Sequence, residues 1–175
     1  MSEIEVVACE QAHMPAITAI YGASVVQHAA SFELEPPDVD EMLRRRERLL
    51  ADGYPYLVAL RAESVVGYGY ASAYRPRPAY AGTVEHSVYV AEDARRCGVG
   101  SALLTAVTDA CGKAGFRQMI AVIGDPEVGA SVAFHAAHGF RQVGRVEGVG
   151  RKFGRDIDCV LMQRGLRADQ KTTGR

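Results

Sequence analysis

The sequence predicts an α/β fold in which helices flank one mixed β-sheet. Two helical segments come first, three β-rich segments follow without a helix between them, and helices then alternate with strands. A strictly alternating order would indicate a doubly wound parallel sheet, whereas this order also requires antiparallel neighbours. A single domain over residues 1–166 suits a chain of 175 residues. The polar tail, 167–175, is predicted to be disordered.

The first half of the chain shows helical periodicity and then a hairpin. Apolar residues recur at helical spacing after Pro15, and a second helix has Asp38 or Asp40 as its cap and ends at Gly53. The segment 31–37 is predicted to be extended and stops at two prolines. The predicted elements are a short strand, two helices and two paired strands, at residues 4–8, 13–28, 40–52, 56–61 and 65–74.

The most informative segment joins a strand predicted at Thr83–Val90 to a helix predicted to run to about Lys113. Its sequence is Arg95-Arg96-Cys97-Gly98-Val99-Gly100-Ser101. The two glycines let the backbone turn sharply and approach a ligand closely. The first N–H groups of a helix lack internal partners and attract an anion, to which arginines add charge-assisted contacts. The segment therefore predicts a phosphate site, with an ordinary strand–turn–helix corner as the alternative.

The remaining elements complete the sheet. The apolar run 119–123 suits a strand that is buried on both faces. A helix from about Val128 to Ala137 ends at Gly139. The last two strands are predicted at 140–149 and 157–164.

Composition excludes several classes of protein. The formal net charge is −1, which does not favour a nucleic-acid or membrane surface. No apolar run approaches the roughly 20 residues of a membrane span, and the acidic N-terminus does not resemble a signal peptide. The four cysteines form no C-x-x-C pair, so neither a disulfide framework nor a metal site is predicted. We expect a cytoplasmic enzyme, in which Cys97 contributes its backbone N–H rather than a nucleophilic thiol.

Several segments in this order resemble the GCN5-related N-acetyltransferases (GNAT), and within them the phosphinothricin and methionine sulfoximine N-acetyltransferases. The resemblance covers about residues 4–164. Besides the Arg-x-x-Gly-x-Gly loop, it rests on Ser31–Glu33, Tyr74–Tyr80, Thr83–Val90, Ala121–Asp125, Ser131–His135 and Lys152–Arg155. It implies the GNAT fold and transfer of an acetyl group from acetyl-CoA, with coenzyme A as product, to the amine of a small amino-acid-like acceptor. It also implies a homodimer with acceptor sites near the interface.

The resemblance assigns two catalytic candidates. Glu85 matches the family glutamate and would act as general base, because an amine is mostly protonated at pH 7. The alternative is a surface carboxylate paired with an arginine. His135 matches the family histidine, with a capping or core histidine as the alternative. His86 lies on the opposite strand face from Glu85 and is assigned a structural or surface role.

Binding residues follow from the same resemblance. The acceptor's carboxylate requires a cation, and Arg75 and Arg77 flank a rigid proline in a loop, where they would clamp it. A solvated basic loop is the alternative. Looser matches to pocket or dimer-edge positions are Phe32, Tyr80, Lys152 and Phe153. The predicted cofactor contacts are Val88, Tyr89, Val90, Arg95, Arg96, Cys97, Gly98, Val99, Gly100, Ser101 and Ser131.

Four positions depart from the usual subgroup pattern. Val128 stands where an Asn is usual, Ala81 and Gly82 replace large residues, and Asp156 replaces a Trp. These changes predict a larger and more acidic acceptor region, and hence an acceptor that differs from phosphinothricin in size or charge. A different amine, such as a peptide N-terminus, a polyamine or an antibiotic, remains an alternative. So does a non-catalytic acetyl-CoA sensor.

Overall fold

A computed structural model describes residues 3–124 and 128–166, which form one seven-stranded sheet with helices on both faces. The strands are β1 (Ile4–Ala8), β2 (Tyr56–Arg61), β3 (Ser64–Ala73), β4 (Thr83–Val90), β5 (Gln118–Gly124), β6 (Arg141–Lys152) and β7 (Arg155–Gly165). The helices are α1 (Met14–Gln27), α2 (Val39–Ala51), α3 (Val99–Lys113) and α4 (Val128–Ala137). None of these helices combines the length and apolarity that a membrane span requires.

The predicted mixed sheet is confirmed, and its order is β1-β2-β3-β4-β5-β7-β6. Every neighbouring pair is antiparallel except β4 and β5, which are parallel. Of the two proposed caps of α2, Asp38 is the one used, because its Oδ1 accepts a hydrogen bond from the Glu41 N–H at 2.8 Å. The predicted disordered tail lies outside the described residues.

The segment 31–37, predicted to be extended, has no regular secondary structure and forms a series of bends between α1 and α2. Its polar groups bond locally: the Glu33 N–H donates to Ser31 Oγ, and the Tyr21 hydroxyl contacts both Ser31 Oγ, at 2.9 Å, and Glu33, at 2.7 Å. These bonds replace the ladder that a strand would need.

The helices α1 and α2 cover one face of the sheet, which is filled largely by tyrosine rings. Tyr56, Tyr68, Tyr70 and Tyr89 stack with interplanar angles of 12–21°, for example 5.2 Å between the ring centroids of Tyr68 and Tyr89. Burial raises the pKa of Tyr68 well above its ordinary value, so this phenol stays neutral. Aromatic rings thus pack beside the aliphatic side chains of α1 and α2 on this face.

The helix α3 covers the opposite face and approaches it closely over Gly67 and Gly69. A Cβ atom at Gly67 would lie 2.9 Å from the Tyr89 carbonyl oxygen and 3.1 Å from Leu103 Cδ1. Because Leu103 is fully buried on α3, the absence of a side chain at Gly67 sets how near that helix comes to the strands. This packing fixes the position of the N-terminus of α3, where the phosphate site is predicted.

We expect Gly67→Ala to destabilise the protein by about 1–3 kcal/mol, because the added methyl group meets backbone rather than a movable side chain. Urea unfolding would measure the change in the free energy of unfolding. Gly129→Ala is the control, because a Cβ atom there meets nothing within 4 Å. Gly53→Ala is unsuitable, because the positive φ of Gly53 would itself cause strain. Equal stability of Gly67→Ala and Gly129→Ala would contradict the prediction.

Candidate active site

The sheet opens between its two parallel strands. Three residue pairs join β4 to β5, and the last is Glu85 with Ile120. Beyond this point the strands diverge, so the backbone of β4 from His86 to Val90 has no partner on that side. A cavity of about 650 Å³ fills the gap, lined by His86–Val90 of β4, Ala91 after it, Ala121–Gly124 of β5 and parts of α1, α3 and α4. We call it the splay channel, and the Glu85–Ile120 pair its vertex.

The predicted phosphate loop lies at the wide end of the splay channel. Gly98 has φ +85° and is the N-cap of α3, without a side chain that caps the helix, so the first helical N–H groups remain open to a ligand. Arg95 lines the channel, and its guanidinium lies 2.9 Å from His28 Nε2 and 3.1 Å from Glu92 Oε2. Gly100 also lines it, close to the Phe134 ring. Cys97 is exposed. The open helical N–H groups and Arg95 are the features that the predicted phosphate site requires.

Glu85 lies at the narrow end, on the face that α1 and α2 cover. It is directly opposite Ser72 of β3 and is half-buried. Among the described residues no lysine or arginine forms an ion pair with it, so the alternative of an arginine-paired surface carboxylate is not observed. Burial raises the pKa of the Glu85 carboxyl above its ordinary value. Such a carboxylate binds a proton more readily than an exposed one.

His135 lines the splay channel from α4, but both of its ring nitrogens are engaged. Nδ1 lies 2.7 Å from the Ser131 carbonyl oxygen, and Nε2 lies 3.2 Å from His86 Nε2. Burial lowers the pKa of His135. The structure therefore gives no support to the catalytic role predicted for His135, because a base or acid needs a ring nitrogen that is free to meet the substrate. Ser131 also lines the channel.

Phe32 covers the end of β5 on the same face as Glu85. A Cβ atom at Gly124 would lie 2.5 Å from the Phe32 ring, and one at Gly150 would also clash with it. The Phe32 ring can pack here only because Gly124 and Gly150 have no side chains. With 40% of its surface exposed, Phe32 remains available to a ligand or a partner.

The arginines predicted to clamp a carboxylate lie in the loop between β3 and β4. The Arg75 guanidinium is 5.3 Å from the Tyr74 ring centroid and 5.9 Å from that of Tyr80, which orients it by cation–π contact. Arg77 is exposed. Since Thr83 and Glu85 follow directly along β4, this loop lies at the same end of the strand as the vertex.

Lys152 differs from what a substrate-binding residue requires. It is 3% exposed, and its ammonium group donates to the His28 carbonyl at 2.9 Å and the Ser31 carbonyl at 2.6 Å. Lys152 thus anchors the loop after α1 to the β6–β7 hairpin. The neighbouring Phe153 is 55% exposed, with φ +53°, and its ring centroid lies 5.2 Å from the Lys152 ammonium group.

The departures from the subgroup pattern have less effect than the sequence suggested. A side chain at Gly82 would meet the Arg117 guanidinium at 2.6 Å, so Arg117 already occupies the space that the glycine was expected to free. Asp156 pairs with Arg151 at 2.9 Å, which offsets its charge. Ala81 is exposed, and the side chain of Val128 lies outside the described part of the chain.

Comparisons with known proteins identify the fold and the chemistry. A profile described as an acetyltransferase (GNAT) domain matches residues 6–161. The chain belongs to the GNAT acetyltransferase family. This GNAT enzyme is 51% identical to a phosphinothricin N-acetyltransferase of Alcaligenes faecalis, over 91% of the chain and 81% of the relative. It is 37% identical to an L-methionine sulfoximine/L-methionine sulfone acetyltransferase of Pseudomonas aeruginosa, over 89% of the chain and 90% of the relative.

A solved structure shows the same fold with the cofactor bound. The phosphinothricin acetyltransferase of Sinorhizobium meliloti, in complex with acetyl-CoA, has a TM-score of 0.90 and 42% identity, covering 94% of this chain and 89% of its own. The GNAT enzyme described here is accordingly an acetyl-CoA-dependent N-acetyltransferase. The open β4 backbone, the uncapped N-terminus of α3 and Arg95 fit the pantetheine and phosphate parts of that cofactor.

Sequence reasoning missed one contact at the site of this GNAT enzyme. His86 was assigned a structural or surface role, yet it is buried, lines the splay channel and contacts His135. The signal was available in part: Val84, His86 and Val88 alternate on one strand face, and a histidine in such an apolar row needs a polar partner. Nothing in the sequence indicated which residue that partner would be.

Proposed function

We propose that this enzyme transfers the acetyl group of acetyl-CoA to the primary amine of a small amino-acid-like acceptor, of the phosphinothricin or methionine sulfoximine type, with Glu85 as general base. The observation that carries the proposal is the position of Glu85. Its carboxylate is unpaired among the described residues, half-buried and located at the vertex, where the splay channel meets the face covered by α1 and α2.

The reaction needs a neutral amine and a leaving group. When bound, acetyl-CoA supplies an activated acetyl carbonyl and a sulfur that can depart. Glu85 accepts one proton from the acceptor's ammonium group, directly or through water. The amine nitrogen then forms a bond to the acetyl carbon, the carbon–sulfur bond breaks, and the nitrogen loses a second proton while the sulfur gains one. The net products are an N-acetylated acceptor, coenzyme A and one released proton.

The acceptor is expected to bind on the tyrosine-rich face. Arg75 and Arg77 remain the proposed contacts for its carboxylate, and Phe32 and Tyr80 the proposed walls around it. Support comes from the cation–π contacts that orient Arg75 and from the exposed position of Phe32 over Gly124. Lys152 and Phe153 are better explained as the anchor of the loop and as a surface side chain.

A homodimer is part of the same proposal. Apolar side chains are exposed along the β6–β7 hairpin and the loop after α1: Leu34, Val143, Val146, Val149 and Phe153. An apolar surface of this kind favours association. Phe32 lies next to it, so a second subunit bound there would help to enclose the acceptor. The cytoplasmic location stays a prediction from the sequence.

A panel of amines tests the proposed acceptor class. Free-thiol release from acetyl-CoA would be followed with phosphinothricin, methionine sulfoximine, glutamate, a polyamine and a short peptide. We expect turnover of the first two, because their carboxylate and compact side chain suit an arginine loop beside an aromatic wall. Turnover of only the polyamine or the peptide would contradict the acceptor class. Binding of acetyl-CoA without turnover of any amine would favour the sensor alternative.

A further inference from the structure

The hydrogen bonds of the two histidines in the splay channel define the tautomer of each ring, which we call the proton order of the pair. The Ser131 carbonyl oxygen, 2.7 Å from His135 Nδ1, can only accept, so Nδ1 of His135 carries the hydrogen. In a neutral ring the other nitrogen is then an acceptor. The 3.2 Å contact between the two Nε2 atoms therefore requires that His86 donates from Nε2 and that His135 accepts. His86 Nδ1 is left as a lone pair, buried and without a partner among the described residues.

The surroundings of the pair favour its neutral form. Each histidine is 8% exposed, and the rings of Phe134 and Phe140 pack against them, with centroids at 5.3–5.4 Å. Burial lowers the pKa of His86 to about 3, and burial with the nearby His138 lowers the pKa of His135. Glu85, the nearest carboxylate along β4, lies on the opposite face of the strand. Its negative charge therefore would not stabilise a protonated imidazole of His86 or His135.

The position of the pair gives it a mechanical role. β4 and β5 share no backbone ladder beyond the vertex, and α4 follows β5 in the chain. His86 is the first residue of β4 past the vertex, and His135 belongs to α4. Their hydrogen bond therefore connects the two walls of the splay channel at the point where the backbone connection ends.

We propose that His86 is a positioning residue of the acetyl-transfer site: its Nε2–H bond to His135 fixes the proton order of the pair and the width of the splay channel at the vertex. Neither imidazole then exchanges protons with the substrates. The role of the pair in acetyl transfer rests on the proposed function. The tautomers of the two rings do not, because they follow from the hydrogen bonds alone.

Two variants separate this role from simple packing. In His86→Leu the side chain is apolar and the donor is lost, whereas in His86→Gln an amide N–H can reach a similar point. Nitrogen-15 NMR of the histidine rings is the first measurement. In the wild type we expect His135 as the Nδ1–H tautomer and His86 as the Nε2–H tautomer, both without titration between pH 6 and 8. In His86→Leu, the His135 Nε2 loses its donor, so its nitrogen-15 shift should move towards that of a lone pair without a hydrogen bond.

Steady-state kinetics provide the second measurement. His86→Leu should raise the KM for acetyl-CoA by about 2- to 10-fold, the equivalent of one ordinary hydrogen bond. His86→Gln should recover most of this effect and most of the change in the His135 nitrogen-15 shift.

Three results would overturn the proposal: an Nε2–H tautomer for His135, protonation of His135 in the wild type above pH 6, or the same behaviour of the Gln and Leu variants. The wild-type spectrum decides the proton order even if His86→Leu fails to fold. If the enzyme acetylates none of the amines tested, the NMR result still stands on its own, so failure of the proposed function is distinguishable.

Discussion

Replacement of Glu85 by Gln is expected to lower kcat by about 10²–10⁴-fold, the usual contribution of a general base. Gln has nearly the same shape but cannot accept the proton of an ammonium group. The affinity for acetyl-CoA should be nearly unchanged, because Glu85 is not among the residues that line the splay channel and Gln keeps nearly the same shape. Stopped assays of thiol release and calorimetric titration of the cofactor would measure the two quantities. Glu5→Gln, an exposed carboxylate on β1, is the matched control.

The pH dependence provides an independent check of the same residue. A base acts when it is deprotonated, so activity should rise with pH through the pKa of Glu85, which burial raises above the ordinary value for a carboxyl. This rise should be missing in Glu85→Gln. A variant with the wild-type kcat, or one that keeps the acidic limb of the profile, would show that another group removes the proton.

The same shift has a consequence for stability. A carboxyl whose pKa is higher in the folded state than in the unfolded state favours folding only while it is protonated. That contribution is fully present below the unfolded pKa and is lost as pH rises through the folded pKa. Glu85→Gln should therefore be more stable than the wild type at pH 7, and the difference should vanish in acid.

Replacement of Lys152 by Met is expected to destabilise the fold by about 2–4 kcal/mol. Met fills a similar volume but leaves the carbonyls of His28 and Ser31 without their donor, and an unsatisfied buried acceptor costs about 1–3 kcal/mol. For a chain of this size, the melting temperature should fall by roughly 5–15 °C at 2–4 °C per kcal/mol.

The control for Lys152 is Lys113→Met, which removes the same charge from an exposed position at the end of α3. We expect it to melt close to the wild type. Equal melting temperatures for the two variants would mean that the anchor contributes little. A fully stable Lys152→Met with lost acceptor affinity would restore the original prediction that Lys152 binds substrate.

Much of the fold could be predicted because its signals are local. The boundaries of β4 and the course of α2 follow from alternation, capping and glycine, which act over a few residues. The bends of the segment 31–37 could not be predicted, because the Ser31 side chain bonds to Tyr21 of α1 and the Ser31 carbonyl accepts from Lys152, which lies more than a hundred residues away. Such distant partners cannot be deduced from composition or periodicity.

The site was predictable to a similar extent. The turn between β4 and α3 is local and lies where it was expected, and its binding of phosphate stays a prediction. The lone carboxylate at Glu85 was placed by family resemblance, but whether an arginine neutralised it depended on the tertiary structure. The His86–His135 contact, and the Arg117 side chain that fills the space beside Gly82, join segments that are far apart in sequence. Their effect could be recognised only once the sheet had been assembled.

The short ladder between β4 and β5 divides the molecule into two blocks. One block contains β1–β4 and the other β5–β7, and each is continuous in the chain, with α3 as the covalent link. Within the described part of the sheet, three residue pairs of β4 and β5 join the two blocks, and Glu85 belongs to the last pair. A ligand in the splay channel would contact both blocks, because residues of both line it. If Glu85 is the base, as proposed, cofactor binding would therefore also restrict the movement of its carboxylate.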